Sequence, residues 1–171
     1  MDDSSDGGRL EVRTPDVGDL VRLARALRKE GARYVLIGGF AVIAHGLART
    51  TKDIDLLVDP DPENVARIKR ALSILEDNAA SEIDPSDLLK YPVVRVADEV
   101  MINLLASACG VTWADAAPHA KTLELRGVTI PLAAVETLIA TKQTPRPSDA
   151  ADREFLEYLL AENASVETTD P

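Results

Sequence analysis

Apolar positions recur along the chain in two periods, and each period marks a kind of element. From residue 17 they return at helical spacing (Val17, Leu20, Leu23, Ala24, Leu27), with Thr14-Pro15 reading as N-cap and first helical residue and Gly31 as the stop. "RYVLIGG" is a β-branched run closing on a glycine pair, hence a strand and a turn, and "FAVIAHGLA" makes about two turns of helix ending near Gly46. "DIDLLVD" is a second strand, and Asp61-Pro62 opens a helix carrying Val65, Ile68, Leu72 and Leu75. Residues 77–91 are acidic and hold Pro85, which predicts a loop with a short helical turn. "PVVRV" and "VMINLL" flank "ADE" as a hairpin, and "LELRGVTI" predicts a smaller one around Arg126-Gly127. Two helices follow, over about 132–143 and 149–161, separated by "TPRPS". This order predicts an α/β (α+β) fold, a mixed central sheet flanked by helices and closed by the C-terminal pair.

At 171 residues the expectation is one domain: a flexible polar N-terminus over 1–12, a core over 13–131, a helical segment over 132–161 packed on it, and a flexible tail over 162–171. Apolar residues at 46% and charged residues at 28% suit a buried core, but the net charge of −10 argues against general coating of nucleic acid. It leaves room for a nucleotide held through a divalent cation, because metal sites are themselves acidic. Aromatic residues at 4% are too few for a base-stacking platform, and Cys109 is the single cysteine, so no disulfide framework arises. "MDDSSDGGRL" has no apolar stretch of the signal-peptide kind, and no apolar run approaches a membrane span. The expected setting is cytoplasmic, with no membrane. Residues 53–87 carry ten acids against three bases. Arg22, Arg25 and Lys29 on the first helix form either a solvated face or a contact surface for an anionic partner.

The chemistry concentrates between Gly38 and Asp59, "GGFAVIAHGLARTTKDIDLLVD". In a strand, residues two apart share a face, so Asp53 and Asp55 point together while Ile54, Leu56 and Val58 point to the core. They are either two solvent-facing acids at a strand start or a pair that holds a hard cation such as Mg2+. Gly38-Gly39 is either a tight strand-to-helix turn or a place where phosphate approaches backbone N–H groups. Fourteen residues separate Gly39 from Asp53, enough for a short helix out and a loop back, so the two halves can meet. Arg49, Thr51 and Lys52 lie on that returning loop, where cation and hydroxyl can reach phosphate oxygens. Neither a G-x-x-x-x-G-K-[ST] loop nor a G-x-G-x-x-G fingerprint nor a G-x-S-x-G elbow occurs. Acids placed before the apolar strand also disfavour a metal-dependent phosphohydrolase.

Taken together, Gly38-Gly39, His45-Gly46, Arg49-x-Thr51-x-Asp53-Ile54-Asp55 and the apolar tail resemble the signature of the DNA polymerase β-type nucleotidyltransferase superfamily. More narrowly they resemble its small bacterial members, including those akin to toxin components of toxin–antitoxin pairs. The similarity is specific over residues 34–59 and extends over about 20–160. It implies the central sheet of that superfamily and a metal-dependent transfer of a nucleoside monophosphate from an NTP to an acceptor hydroxyl, on RNA, protein or a small molecule. Asp53 and Asp55 would be catalytic metal ligands for Mg2+ or Mn2+. Gly38, Gly39, Arg49, Thr51 and Lys142 would bind the nucleotide. A cognate antitoxin or toxin would be a possible partner.

One departure stands out. The family supplies a third carboxylate from a later strand, and in "EVMINLL" the matching position is Asn103. Its carbonyl oxygen can still ligate a metal, but an amide does not take a proton as a carboxylate does. Asp98 or Glu99 in the preceding turn is a possible substitute. The alternative is therefore a catalytically impaired nucleotide-binding protein, or one half of a toxin–antitoxin pair. His45 is read as packing or capping, or as a phosphate contact, and His119 as a surface residue. Asp149 and Asp152 are read as first-turn acids favoured by the helix dipole. Arg146 reaches phosphate or pairs with either acid, and Trp113 and Cys109 are read as core or loop packing.

Overall fold

The computed structural model describes residues 11–167. Helix α1 (Val17–Lys29) leads to strand β1 (Tyr34–Ile37), helix α2 (Gly38–Ala44), strand β2 (Asp53–Val58) and helix α3 (Pro62–Leu72). A 3-10 turn at Ala79–Glu82 and the short helix α4 (Asp87–Lys90) occupy the acidic loop. A hairpin of β3 (Val93–Ala97) and β4 (Met101–Leu105) follows, then a small ribbon of β5 (Ser107–Ala108) and β6 (Val111–Thr112), and helix α5 (Trp113–Ala116). A second hairpin, β7 (Lys121–Leu125) and β8 (Val128–Leu132), precedes α6 (Val135–Thr141) and α7 (Pro147–Glu167).

Six strands make one mixed sheet in the order β3-β4-β2-β1-β8-β7. β1 is antiparallel to β2 and parallel to β8, while β2 is parallel to β4. Both expected hairpins form, and they are the two flanks of this one sheet. Alternation works as the sequence implies. Ile54, Leu56, Ile102 and Leu104 are fully buried, as are Leu23 and Leu27 of α1 and Ile68 and Leu72 of α3. Helices α1 and α3 pack together. Leu57 shares a face with Asp53 and Asp55 and is fully buried too, so that face is covered at one end and open where the acids stand.

Several boundaries differ from the expected ones, among them the end of α3, which stops at Leu72 with Ser73 as its cap, so Leu75 lies beyond it. Helix α1 begins at Val17 and is capped by Asp16, not Thr14. The Asp16 carboxylate accepts from Asp19 N–H at 2.9 Å and the Asp19 carboxylate accepts from Asp16 N–H at 2.8 Å, a reciprocal box that satisfies two first-turn amides at once. Helix α6 is shorter than expected because β8 continues to Leu132. Helix α7 starts with Pro147 at its first turn and runs through Glu167, since "ENASVE" contains no breaker. The remainder of the expected flexible ends, residues 1–10 and 168–171, lies outside the described residues. Among the described residues no helix is long and apolar enough to cross a membrane.

Candidate nucleotide and cation site

The parallel pairing of β2 with β4 sets Asp55 directly opposite Asn103. From there the Asn103 amide nitrogen donates to Asp55 Oδ1 at 2.7 Å and to Asp53 Oδ2 at 3.0 Å. One neutral amide therefore bridges two carboxylates that would otherwise repel each other. Burial and then the Asp53 charge push the Asp55 carboxyl up from 3.8 to about 6; the Asn103 hydrogen bond and the charges of Lys142 and Arg95 act in the opposite direction. Asn103 is 7% exposed, and its Oδ1 is buried without a hydrogen-bond partner.

The glycine pair is required by close packing against this site. Gly38 has φ +71, and a Cβ there would lie 2.1 Å from Asp55 Oδ2. A Cβ on Gly39 would lie 2.5 Å from Thr51 Oγ1. Both contacts are far inside van der Waals range, so neither position takes a side chain without displacing a residue of the site. Thr51 is buried and its hydroxyl donates to Asp53 O at 3.1 Å, which ties the returning loop to the first acid.

A buried ion network forms the opposite wall. Lys142, at the end of α6, places Nζ 2.9 Å from Asp152 Oδ2 and 3.6 Å from Asp149 Oδ1. Arg49 donates to the same Asp152 oxygen. Thr144 donates to Asp149, and Arg153 donates to the backbone carbonyls of Lys142 and Thr144. Asp152 is 2% exposed and Lys142 is 6% exposed. These acids do more than favour the helix start, as the sequence reading had it: Asp152 holds two cations that belong to different segments.

The eight residues that the resemblance makes metal or nucleotide ligands (Gly38, Gly39, Arg49, Thr51, Asp53, Asp55, Asn103 and Lys142) line one cleft of about 730 Å3. Five cations and three carboxylates line it, a positive excess in a chain of net charge −10. Such a cleft attracts anions locally whatever the total charge. Lys52, Arg95 and Arg146 are exposed on its walls, with no ion pair among the described residues. Arg95 was missed in the sequence reading. Its signal is the antiparallel register that sets it opposite Asn103, which a hairpin assignment with a defined turn would have exposed.

Other expectations resolve differently. Asp98 and Glu99 do not line the cleft. Asp98 accepts from the backbone N–H groups of Asp77, Ala79 and Glu99, and Glu99 is paired with Arg22 and Arg13. His45 Nε2 lies 2.9 Å from Ala133 O, tying the end of α2 to the segment after β8, so its role is packing. Cys109 is exposed at φ +48 and lines the cleft, with Sγ 3.3 Å from Thr141 O, so it is not core. Trp113 is half-buried beneath the Arg33 guanidinium, and His119 is exposed.

The donor set fits a hard divalent cation. Asp53 and Asp55 offer carboxylate oxygens toward the cleft, and the unpartnered Asn103 Oδ1 is a third oxygen that turning the amide would present. Among the described residues no cluster of three or more His, Cys, Asp or Glu side chains forms, so a cation would depend on this pair.

The class of this protein, a nucleotidyltransferase, is given by comparison of its sequence with family models. The family model described as nucleotidyl transferase AbiEii toxin, type IV toxin–antitoxin system, matches residues 21–144, more than half of the sequence, and the chain belongs to that family. Its fold is similar to a crystal structure from Thermotoga maritima of a protein provisionally described as a nucleotidyltransferase. The two share 15% identity over 92% of this chain and 94% of that one, with a TM-score of 0.51. A search of curated proteins finds no match.

Proposed function

We propose that the protein is a cation-dependent nucleotidyltransferase that moves NMP from an NTP to an acceptor hydroxyl on RNA, protein or a small molecule. The bond formed joins the acceptor oxygen to the α-phosphorus, the bond broken releases pyrophosphate, and the hydroxyl proton passes to water in the open cleft. The observation that carries this reading is the packing of Gly38 against Asp55, which sets the glycine turn and the acid pair against each other in one cation-lined cleft. Bound Mg2+ or Mn2+ would supply charge compensation for the triphosphate. Asp53 and Asp55 would hold it, with Asn103 Oδ1 as a further ligand. Gly38 and Gly39 bring the turn's backbone against the acid pair, where their N–H groups would meet the phosphates, and Arg49 and Lys142 would contact phosphate oxygens from the opposite wall. Asp152 fixes both cations in place, so little ordering remains when substrate arrives. Thr51 keeps Asp53 oriented through its backbone carbonyl. The cytoplasm suits an NTP substrate, and membership of a toxin–antitoxin family supports a cognate antitoxin as partner.

Transfer of label from an α-labelled NTP tests this directly, with Asp53→Ala expected to abolish transfer and cation-dependent nucleotide binding together. Absence of transfer to any acceptor class by a folded protein would refute it. A second reading is favoured by Asn103, whose amide already bridges the acid pair where a third carboxylate is expected: the protein holds nucleotide without turning it over. It gains if wild type is thermally stabilised by Mg2+-NTP but only Asn103→Asp transfers label.

A further inference from the structure

Building on the transferase reading, we infer that Arg95 occupies the β3 side of the acid pair with a fixed positive charge, so that the site loads one divalent cation and not two. Sheet register places it there. Asp55, Asn103 and Arg95 stand directly opposite one another across β2, β4 and β3. Cross-strand neighbours project from the same face with Cβ atoms about 5 Å apart. The row therefore runs anion, neutral amide, cation. Arg95 is exposed and lines the cleft, and its side chain has no hydrogen bond or ion pair among the described residues. Its charge also acts on Asp55 in the direction that keeps the carboxylate ionised.

The remaining carboxylates are committed elsewhere. Asp149 is held by Thr144 and Lys142, Asp98 by three backbone amides, and Glu99 by two arginines. A second cation would have to share Asp53 and Asp55 with the first and enter beside a guanidinium, with no carboxylate of its own. Two positive charges forced together at short range repel strongly even with partial solvent screening. Arg95 also borders a smaller groove of about 270 Å3, together with Lys52, Asp53 and Met101. The β3 side of the acid pair is thus already occupied by fixed positive charge.

Mn2+ titration followed by electron paramagnetic resonance decides the matter, using the full chain alone and with a non-hydrolysable α,β-methylene NTP analogue. Wild type is expected to take one Mn2+ per chain in both states. Arg95→Ala, an exposed position where folding is not at stake, is expected to tighten that first site roughly threefold to tenfold by removing one repulsive charge. Arg95→Lys should keep the wild-type affinity. The pair Arg95→Ala with Asn103→Asp is expected to admit a second Mn2+ in the analogue complex. Two Mn2+ in the wild-type complex, or an Arg95→Ala affinity equal to wild type, would overturn the assignment while leaving the transferase reading intact. No Mn2+ binding to wild type would sink both.

Discussion

Replacing Asp55 with asparagine should stabilise the ligand-free protein while removing its activity. The Asp55 carboxyl is held near 6 against an ordinary 3.8, mainly by burial. A folded-state pKa raised above the unfolded value means that the native state keeps its proton to higher pH than the unfolded chain does. Stability from this group is therefore full below about pH 4, falls between about pH 4 and pH 6, and stays lowered above that. Two pH units of difference correspond to about 3 kcal/mol. Asparagine at this position carries no charge at any pH, and its oxygen can still accept from Asn103. Above pH 6 the variant should exceed wild type by about 1–3 kcal/mol, which in a protein of this size raises the melting temperature by roughly 2–4 °C per kcal/mol. Below pH 4 the two should converge. Urea denaturation in chelator at pH 4, 5, 6 and 7.5 reads the difference. A variant less stable than wild type at pH 7.5, or a gap that does not change with pH, would show that the buried Asp55 charge does not destabilise the fold.

Three further outcomes follow from the same geometry. Gly38→Ala places a methyl group 2.1 Å from Asp55 Oδ2 at a positive φ; it should cost about 2 kcal/mol or more and lower Mn2+ affinity, both measurable on one purified sample. Asp152→Ala strands Lys142 and Arg49 without their shared partner; a loss of about 3 kcal/mol in urea denaturation is expected, and Asp149→Ala, whose carboxylate is more exposed and further from Lys142, should lose less. Asp16→Ala removes the reciprocal cap of α1; about 1 kcal/mol should be lost with label transfer unchanged, which separates fold from site.

What was legible in the sequence was local. Asp53 and Asp55 share a face because strand period is two, and "GG" after a β-branched run marks a strand-to-helix turn, so both halves of the cleft could be found without knowing how they meet. The hairpins and the mixed sheet followed from alternation and turn residues. What stayed hidden depends on pairing at long separation. Asn103 reaches both acids only because β2 and β4 run parallel in one register, and Arg95 joins the row only through the β3–β4 pairing. Asp152 looked like an ordinary first-turn acid because nothing near it in sequence shows that Arg49, more than a hundred residues earlier, ends beside it. The β5–β6 ribbon has two residues per strand, too few for any alternation to register. The glycine pair was read correctly as a turn, but its close contacts turn out to be with Asp55 and Thr51.

The central claim is that this cleft transfers a nucleotidyl group. The most direct measurement incubates the protein and Mg2+ with α-labelled and, in parallel, γ-labelled NTP, in the presence of fractionated RNA, protein and small-molecule acceptors. Label from the α-position is expected to become attached to one acceptor class, label from the γ-position to leave in pyrophosphate, and both events to vanish in Asp53→Ala. Release of inorganic phosphate, or no α-label on any acceptor by protein that folds and binds Mn2+, would contradict it.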